Sequence, residues 1–478
     1  MNKLMSNVLG RRSLLTGLAA ATGTAILAAC GGTDATATTA SGAGAAGAAT
    51  ATRPAGAAGT TVATTGSGAA TMPASAATTA GGAATTASTP ATTGGSAVAA
   101  TTTRPATTGS ATAGATTAAS PAAASSAVTG TSTGSMPAAV VVPTFGPVAG
   151  GAQVQITGAG STFIFPMVSI WADTYNKAVP NIKVNYQSIG SGGGIQQFTQ
   201  KTVDFGASDA PMTDDQLKAA PGTLHIPMIH GPVVATYNLK SLAGGKALQF
   251  SGQTLVDIYS GKITKWNDKA LAADNPGVTL PNTDIAVVYR SDGSGTTSIW
   301  VDYLSKVSPD WEKTVGRGTS VKFPVGIGAK GNEGVSGQVL QIDGGIGYVE
   351  LAYALQNKLP TSAVKNLAGS YVTPSPQSAS AAAALTSYPA DLRFSITQPP
   401  AENKDAYPIT GTTWGLQFTE MPDLNRAQAF VAFVLYAIGT EGDKLAVMNN
   451  YTPIPPALKT ATIAQLKKIT VKGEPVLK

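Results

Sequence analysis

Residues 151–478 predict an α/β fold in which strands and helices alternate over a largely parallel sheet. Three observations lead there. Strand-like runs recur at 154–157, 183–187, 203–207 and 285–289, and each gives way to a loop of small and turn-forming residues. Apolar residues then return at helical spacing, as at Met167, Trp171 and Tyr175 or at Ile299, Trp300, Tyr303 and Leu304. The segment is also long enough for two lobes with cores of their own.

The first run ends in Gly158-Ala159-Gly160-Ser161-Thr162-Phe163, and Pro166 sits where a first helical turn accepts it. The second runs into Ser188-Ile189-Gly190-Ser191-Gly192-Gly193-Gly194, with a helix expected from Ile195. The third delivers Ser208-Asp209-Ala210-Pro211 and a helix capped by Thr213. The fourth ends in Arg290-Ser291-Asp292-Gly293-Ser294-Gly295-Thr296. Glycines after a strand let a backbone approach a ligand, and a helix start offers unpaired N–H groups at the positive end of its dipole. Hydroxyls at Thr162, Ser191, Ser294 and Thr296 add donors without charge. One such loop alone is an ordinary turn. Four of them, one with an arginine and one with an aspartate, describe an anion site at the strand ends of an open sheet.

The first thirty residues read as an export signal. Lys3, Arg11 and Arg12 form a basic start, and an apolar stretch ends in Leu27-Ala28-Ala29-Cys30, the pattern of a bacterial lipoprotein cleavage site. A short transmembrane helix is the alternative for this stretch, which is brief for a bilayer. The arginine pair resembles a twin-arginine signal, although ordinary export signals carry such pairs too. Cys30 is the chain's one cysteine, so no intramolecular disulfide forms; its expected role is to carry lipid, and two or more acyl chains anchor stably. Residues 31–150 are Ala, Thr, Gly, Ser and some Pro, with only Asp34, Arg53 and Arg104 charged. So few large apolar side chains cannot offset chain entropy, which predicts a tether spanning roughly 60 Å and open to O-glycosylation. The expected location is the outer face of the cell membrane, lipid-anchored.

The formal charge is +6, of which the signal carries three and the tether one, leaving +2 on 151–478. No basic stripe points to nucleic acid, so anion selectivity has to be local. Other patterns fall away. Gly326 to Gly331 fits G-x-G-x-x-G with Glu350 near the usual acid distance, but Pro324 argues against a central strand, and the stretch reads as a loop. His225 and His230 lack metal-site spacing and read as ordinary strand or loop residues. No Walker A or G-x-S-x-G pattern appears in the folded part. Asp257, Lys262 and Lys265, near Trp266, read as a solvated helix face.

The four loop segments quoted above, together with 203–211, 257–267 and 344–350, closely resemble the phosphate-binding subunit of bacterial phosphate ABC importers. The resemblance runs in order through essentially all of 152–478. It implies a two-lobed periplasmic-binding-protein fold with two hinge crossovers (type II): 151–236 with 408–478 as lobe I, 237–407 as lobe II, after the 1–30 signal and the 31–150 tether. It also implies roles. Thr162 and Phe163 would donate through hydroxyl and backbone N–H, Ser191 through its hydroxyl, and Ser294, Gly295 and Thr296 through hydroxyls and amides at a helix start. Arg290 would supply the one formal positive charge, oriented by Asp292, and Asp209 would accept a proton from the ligand. The departures are the tether and a low-complexity insertion around 375–385.

Asp209 is the informative residue. An ionised carboxylate only accepts, so it is satisfied by an anion that brings a proton, as phosphate does near neutral pH and sulfate does not. Sulfate would leave a buried charge unpaired, at a cost on the order of several kcal/mol. Apart from the resemblance, Asp209 reads more readily as a cap or turn residue before Pro211, and Arg290 reads as a surface ion pair with Asp292, which is compatible with binding. The expectation is a monomeric receptor that binds inorganic phosphate and delivers it to an ABC permease, with no catalysis, cofactor or metal. A receptor for another protonated oxyanion such as arsenate, or a phosphate sensor without transport, is the alternative.

Overall fold

The computed structural model describes residues 151–242, 245 and 247–478. The expected signal, Cys30 and the tether lie outside the described residues.

The chain opens with β1 (Val154–Gly160), α1 (Phe165–Ala178), β2 (Ile182–Ser188), α2 (Ser191–Thr199), β3 (Phe205–Ser208), α3 (Asp214–Ala219) and the long β4 (Thr223–Asn238). Next come β5 (Gln249–Phe250), α4 (Gly252–Tyr259), α5 (Lys269–Asp274), β6 (Ala286–Arg290), α6 (Gly295–Val307) and α7 (Pro309–Thr314). Then follow β7 (Ile327–Ala329), α8 (Gly331–Gln341), β8 (Gly345–Glu350), α9 (Leu351–Gln356), β9 (Ala363–Lys365), β10 (Tyr371–Val372) and α10 (Pro376–Ala382). The last part is β11 (Thr410–Phe418), α11 (Leu424–Ala437), α12 (Thr440–Met448), β12 (Thr452–Pro453), α13 (Pro456–Leu466), β13 (Thr470–Val471) and β14 (Glu474–Pro475).

Local chemistry explains the helix starts. Pro166 stands in the first turn of α1. Thr213 caps α3 in a reciprocal box with Gln216, and Ser294 caps α6 by accepting from the Thr297 amide. The helix expected from Ile195 begins at Ser191, because Gly190 takes φ 84° as its cap and the following glycines fit the first turn. Low-complexity 375–385 also orders: Ser375 and Ser378 make a capping box, Pro376 follows, and small side chains build α10.

Nine strands form one sheet, in the order β2-β1-β3-β11-β4-β8-β6-β7 with β12 beside β4. The expected parallel character holds at each side. β1 runs parallel with β2 and β3, and β6 runs parallel with β7 and β8. The middle differs. β11 lies antiparallel between β3 and β4, and β4 is antiparallel to β8. The sheet is therefore mixed, because a strand made late in the chain inserts among the early ones. β4 serves both sides: its residues from Thr223 to Pro232 pair with β11, and those from Val233 to Asn238 pair with β8. Its pairing with β11 shifts register between Thr413 and Trp414, opposite Ile229 and Pro227, so Met228 has no facing residue. Pro227 has no N–H to give the ladder, which suits a bulge there.

Two other readings are corrected. The stretch 326–331 is not a loop but contains β7, an edge strand parallel to β6, and α8 starts at Gly331. Pro324 excludes a central strand, not an edge one. Of the supposed helix face, only Asp257 is helical. Trp266 is fully buried, with its indole N–H on the Gly344 carbonyl at 3.0 Å, because it packs against Tyr237 and Phe250. On the same face of the sheet, Trp300 stacks on Tyr348 with centroids 5.1 Å apart. Each such ring contributes about 2–3 kcal/mol by burial, which fixes α6 on the strands that carry the site.

Candidate functional site

The ends of β1, β3 and β6 and the starts of α1, α2, α6 and α8 converge. Gly160 permits this on one side: its φ is 141°, and a Cβ there would lie 2.0 Å from the Ala207 carbonyl oxygen. The close passage of β1 against β3 brings Ser161 to Asp209. Ser161 Oγ donates to Asp209 Oδ1 at 2.5 Å while accepting the Phe163 amide at 3.0 Å. Ser191 Oγ, at the start of α2, donates to Asp209 Oδ2 at 3.3 Å and accepts the Asp209 amide at 3.2 Å. Thr413 Oγ1, from β11, donates to Oδ1 at 2.7 Å.

Asp209 is only 3% exposed. Burial pushes its pKa up to about 6, against the bonds from Ser161 and Thr413, the charge of Arg290 and the bond from Ser191. It is the acceptor in a setting otherwise composed of donors.

Arg290 ends β6 with its guanidinium gripped by Asp292, Nε to Oδ1 at 2.8 Å and Nη2 to Oδ2 at 2.5 Å. Its Nη1 donates to Thr296 Oγ1 at 3.3 Å. The Gly331 amide donates to Asp292 Oδ1 at 3.0 Å. Burial works to raise the Asp292 pKa, but the bonds and charge of Arg290 prevail and hold the carboxyl below its usual range. The pair is buried and bidentate, not a surface bridge: the arginine side chain is 1% exposed.

All nine residues predicted for the site come together, and some have partners within the protein. Thr162 Oγ1 accepts from Asn332 Nδ2 at 2.8 Å and from the Asn332 amide at 3.3 Å, which leaves its own proton free. The Phe163 amide, expected to face a ligand, is held by Ser161 Oγ in the turn that opens α1, and the Phe163 carbonyl accepts from Tyr451 at 2.7 Å. Ser294 is fully buried as the cap of α6. Thr296 Oγ1 accepts from both Arg290 and Asn332.

Residues far apart in sequence touch here. The Gly192 amide donates to the Gly293 carbonyl at 2.9 Å. A Cβ on Gly295 would fall 2.5 Å from Asp209 Cβ and from Ser191 Oγ, and one on Gly190 would fall 2.3 Å from Asp292 Oδ2. The Ser191 loop and the Arg290–Thr296 loop thus meet backbone to backbone.

Beside Asp209 a cavity of about 360 Å³ is lined by Ser298, Asp302, Arg317, Arg393 and Thr412 among others. The stretch 391–397 runs along it as a strap. On one side Arg393 Nη1 donates to Asp214 Oδ1 at 2.8 Å and to the Met212 carbonyl at 3.2 Å. On the other, Ser395 Oγ donates to Asp302 Oδ2 at 2.8 Å, Thr397 Oγ1 bonds the same carboxylate, and Lys306 Nζ reaches Thr397 Oγ1 at 2.6 Å.

Sequence reasoning missed Ser161, Thr413 and Asn332. Ser161 lies inside the loop 158–163, just before the residues whose hydroxyl and amide the resemblance favours. Asn332 directly follows the glycine pattern set aside as a loop. Thr413 carried no signal, being joined to Asp209 across 204 positions. The histidines are ordinary buried strand residues. His225 Nε2 accepts the Met212 amide at 3.0 Å, and burial lowers its pKa to about 4; burial lowers that of His230 to about 3. Among the described residues there is no group of three or more His, Cys, Asp or Glu placed to hold a metal, and no helix long and apolar enough to cross a membrane.

A family model described as a PBP superfamily domain matches residues 147–437. The phosphate-binding protein PstS of Xylella fastidiosa (strain 9a5c) is 47% identical over 306 residues, 64% of this chain and 83% of that protein. PstS of Pasteurella multocida is 44% identical over 326 residues, 68% of this chain and 93% of that one. Among solved structures, a high affinity periplasmic phosphate-binding protein (PfluDING) bound with phosphate superposes with a TM-score of 0.54 at 22% identity, over 65% of this chain and 93% of that one. That likeness shows the shared mixed α/β fold, and the sequence matches show the descent: the chain belongs to the PstS family of phosphate-binding proteins, within the PBP superfamily.

Proposed function

We propose that the protein is the phosphate receptor of an ABC importer: it binds inorganic phosphate outside the cytoplasm and presents it to a membrane permease, without catalysing a reaction. The observation that carries this is Asp209, a buried acceptor among donors whose Oδ2 faces the start of α6. Phosphate satisfies that oxygen with its own proton. The remaining phosphate oxygens take the hydroxyls of Thr162, Ser191, Ser294 and Thr296, amides including those of Phe163 and Gly295, and the guanidinium of Arg290. Asp292 keeps the guanidinium in place and offsets its charge, so that recognition rests on geometry more than on net attraction. For the Phe163 amide to join, the Ser161 turn has to loosen on binding, and the Ser191 hydroxyl has to turn its proton from Asp209 Oδ2 to the ligand.

The lobes in this reading are 151–236 with 408–478 and 237–407, with phosphate closing one on the other. Contacts between the Ser191 loop and the Arg290–Thr296 loop support it, since they belong to opposite lobes. Residues 388–394, which fall in the second lobe by position, pack on the first through Leu392 beside Ile438 and Leu458 and through Phe394 on Trp414, so the strap bridges the two. Export under the N-terminal signal, lipid on Cys30 and a tether over 31–150 complete the proposal.

Calorimetric titration of residues 151–478 with phosphate and sulfate tests it, repeated with Asp209→Asn. Tight phosphate binding, weak sulfate binding and relaxed discrimination in the variant are expected. Equal binding of both anions by the unaltered protein would refute the proton-acceptor reading.

A further inference from the structure

We infer that Thr413 is a positioning residue for anion discrimination: from β11 it occupies Oδ1 of Asp209, so that Oδ2 alone is presented to the ligand. The inference rests on the phosphate reading above and names a determinant of its selectivity.

The geometry is specific. A carboxylate oxygen accepts about two hydrogen bonds. Oδ1 has both, from Ser161 at 2.5 Å and Thr413 at 2.7 Å. Oδ2 has only the longer bond from Ser191, at 3.3 Å, and faces Gly295 at the start of α6. Ser161 Oγ already accepts the amides of Phe163 and Ile164, so its proton is committed to Asp209. Thr413 is fully buried beside a β-bulge, the kind of irregularity that re-aims a side chain next to a site. Without it the carboxyl could turn and offer either oxygen.

Thr413 also helps Asp209 to remain an acceptor. Burial favours the protonated form, and hydroxyl donors oppose it. The other groups that bear on this carboxyl are Arg290 of β6, which favours the ion, and Glu350 at the end of β8, with the tyrosines Tyr186 of β2, Tyr353 of α9 and Tyr451 before β12. A protonated Asp209 becomes a donor, and a donor accepts sulfate. Losing the Thr413 hydroxyl therefore extends sulfate binding to higher pH.

The test is competition between phosphate and sulfate from pH 5 to pH 8 in the unaltered protein, Thr413→Val and Thr413→Ser. In Thr413→Val the pH below which sulfate competes rises by about one unit, and phosphate-over-sulfate selectivity at pH 7 falls about fivefold, as the protonated fraction of Asp209 goes from about a tenth to about a half. Thr413→Ser keeps the hydroxyl and restores both. A Thr413→Val profile superimposable on the unaltered one, or Thr413→Ser displaced as far as Thr413→Val, overturns the inference. If Thr413→Val fails to fold, Thr413→Ala is read by the same two criteria. The failures separate. Absence of phosphate binding by the unaltered protein defeats the underlying reading, whereas selectivity lost in Asp209→Asn and kept in Thr413→Val defeats only the role of Thr413.

Discussion

Gly295→Ala places one methyl group where the two loops of the site meet. In the structure its Cβ would lie 2.5 Å from Asp209 Cβ and Ser191 Oγ and 2.6 Å from Asp209 Oδ2. Asp209 has no freedom to retreat, since Ser161 and Thr413 hold its other oxygen. The strain has to be relieved by moving the start of α6 away from β3 and α2. Overpacking of this kind costs about 1–3 kcal/mol. If the contact forms only when the lobes close, all of that falls on the closed form, and phosphate affinity drops about 5- to 150-fold. Ligand-free stability stays level, because alanine suits a helical first turn at least as well as glycine. The control is Gly337→Ala in α8, the same chemical change where no atom lies within 4 Å of the new Cβ. The assay is calorimetric titration beside thermal unfolding without ligand. Gly295→Ala binding phosphate within twofold of the unaltered protein refutes the reasoning. A lower unfolding temperature with unchanged affinity refutes it too, by making the contact a permanent part of the fold.

Two further outcomes are expected. Asp209 titrates near 6 in the fold against an ordinary 3.8, so its contribution to stability is complete below 3.8 and is lost as pH rises through about 6. Two units correspond to about 3 kcal/mol, so the stability of Asp209→Asn relative to the unaltered protein should climb by about 2–3 kcal/mol from pH 4 to pH 7; urea unfolding at both pH values measures this, and a flat difference contradicts it. Asp302→Ala removes the carboxylate shared by Ser395, Thr397 and Lys306 and leaves Lys306 to hold the strap to α6. Phosphate release should quicken about 5- to 30-fold, matching about 1–2 kcal/mol for the hydrogen bonds to Asp302 that are cut, and an unchanged release rate in stopped-flow would remove the strap from closure.

What could be read in advance was local. A strand, a turn of small residues and a capped helix all sit within about twenty positions, so Thr213, Pro166 and the strand feeding Arg290 declare themselves. The chemistry on those loops is legible only with the family resemblance, since Asp209 alone reads as a turn residue and Arg290 as a surface ion pair, whereas the structure buries both. What escaped was decided by partners distant in sequence. β11 resembles any other buried strand, and nothing in Thr410, Gly411 and Thr412 announces that Thr413 will face Asp209. Asn332 was lost through a rule applied too broadly, since a nearby proline forbids only a central strand. The resemblance turns the Phe163 amide toward a ligand, but its partner in the structure is the Ser161 hydroxyl, two positions away in a turn whose geometry the sequence does not specify.

The place of β11 also bears on the order in which the molecule can be made. β3 and β4 are separated in the sheet by a strand that leaves the ribosome about 170 residues after β4, roughly ten to thirty seconds later at ordinary rates of synthesis. Until then the edges of β3 and β4 that β11 will join have no native neighbour, and Asp209 lacks one of the hydroxyls that will hold it. The middle of the sheet cannot finish as a unit while the chain is still growing. Completion waits for the far end of the polypeptide, so a nascent chain held open by a chaperone, or passed across a membrane unfolded, forgoes no native structure in the sheet's centre by waiting.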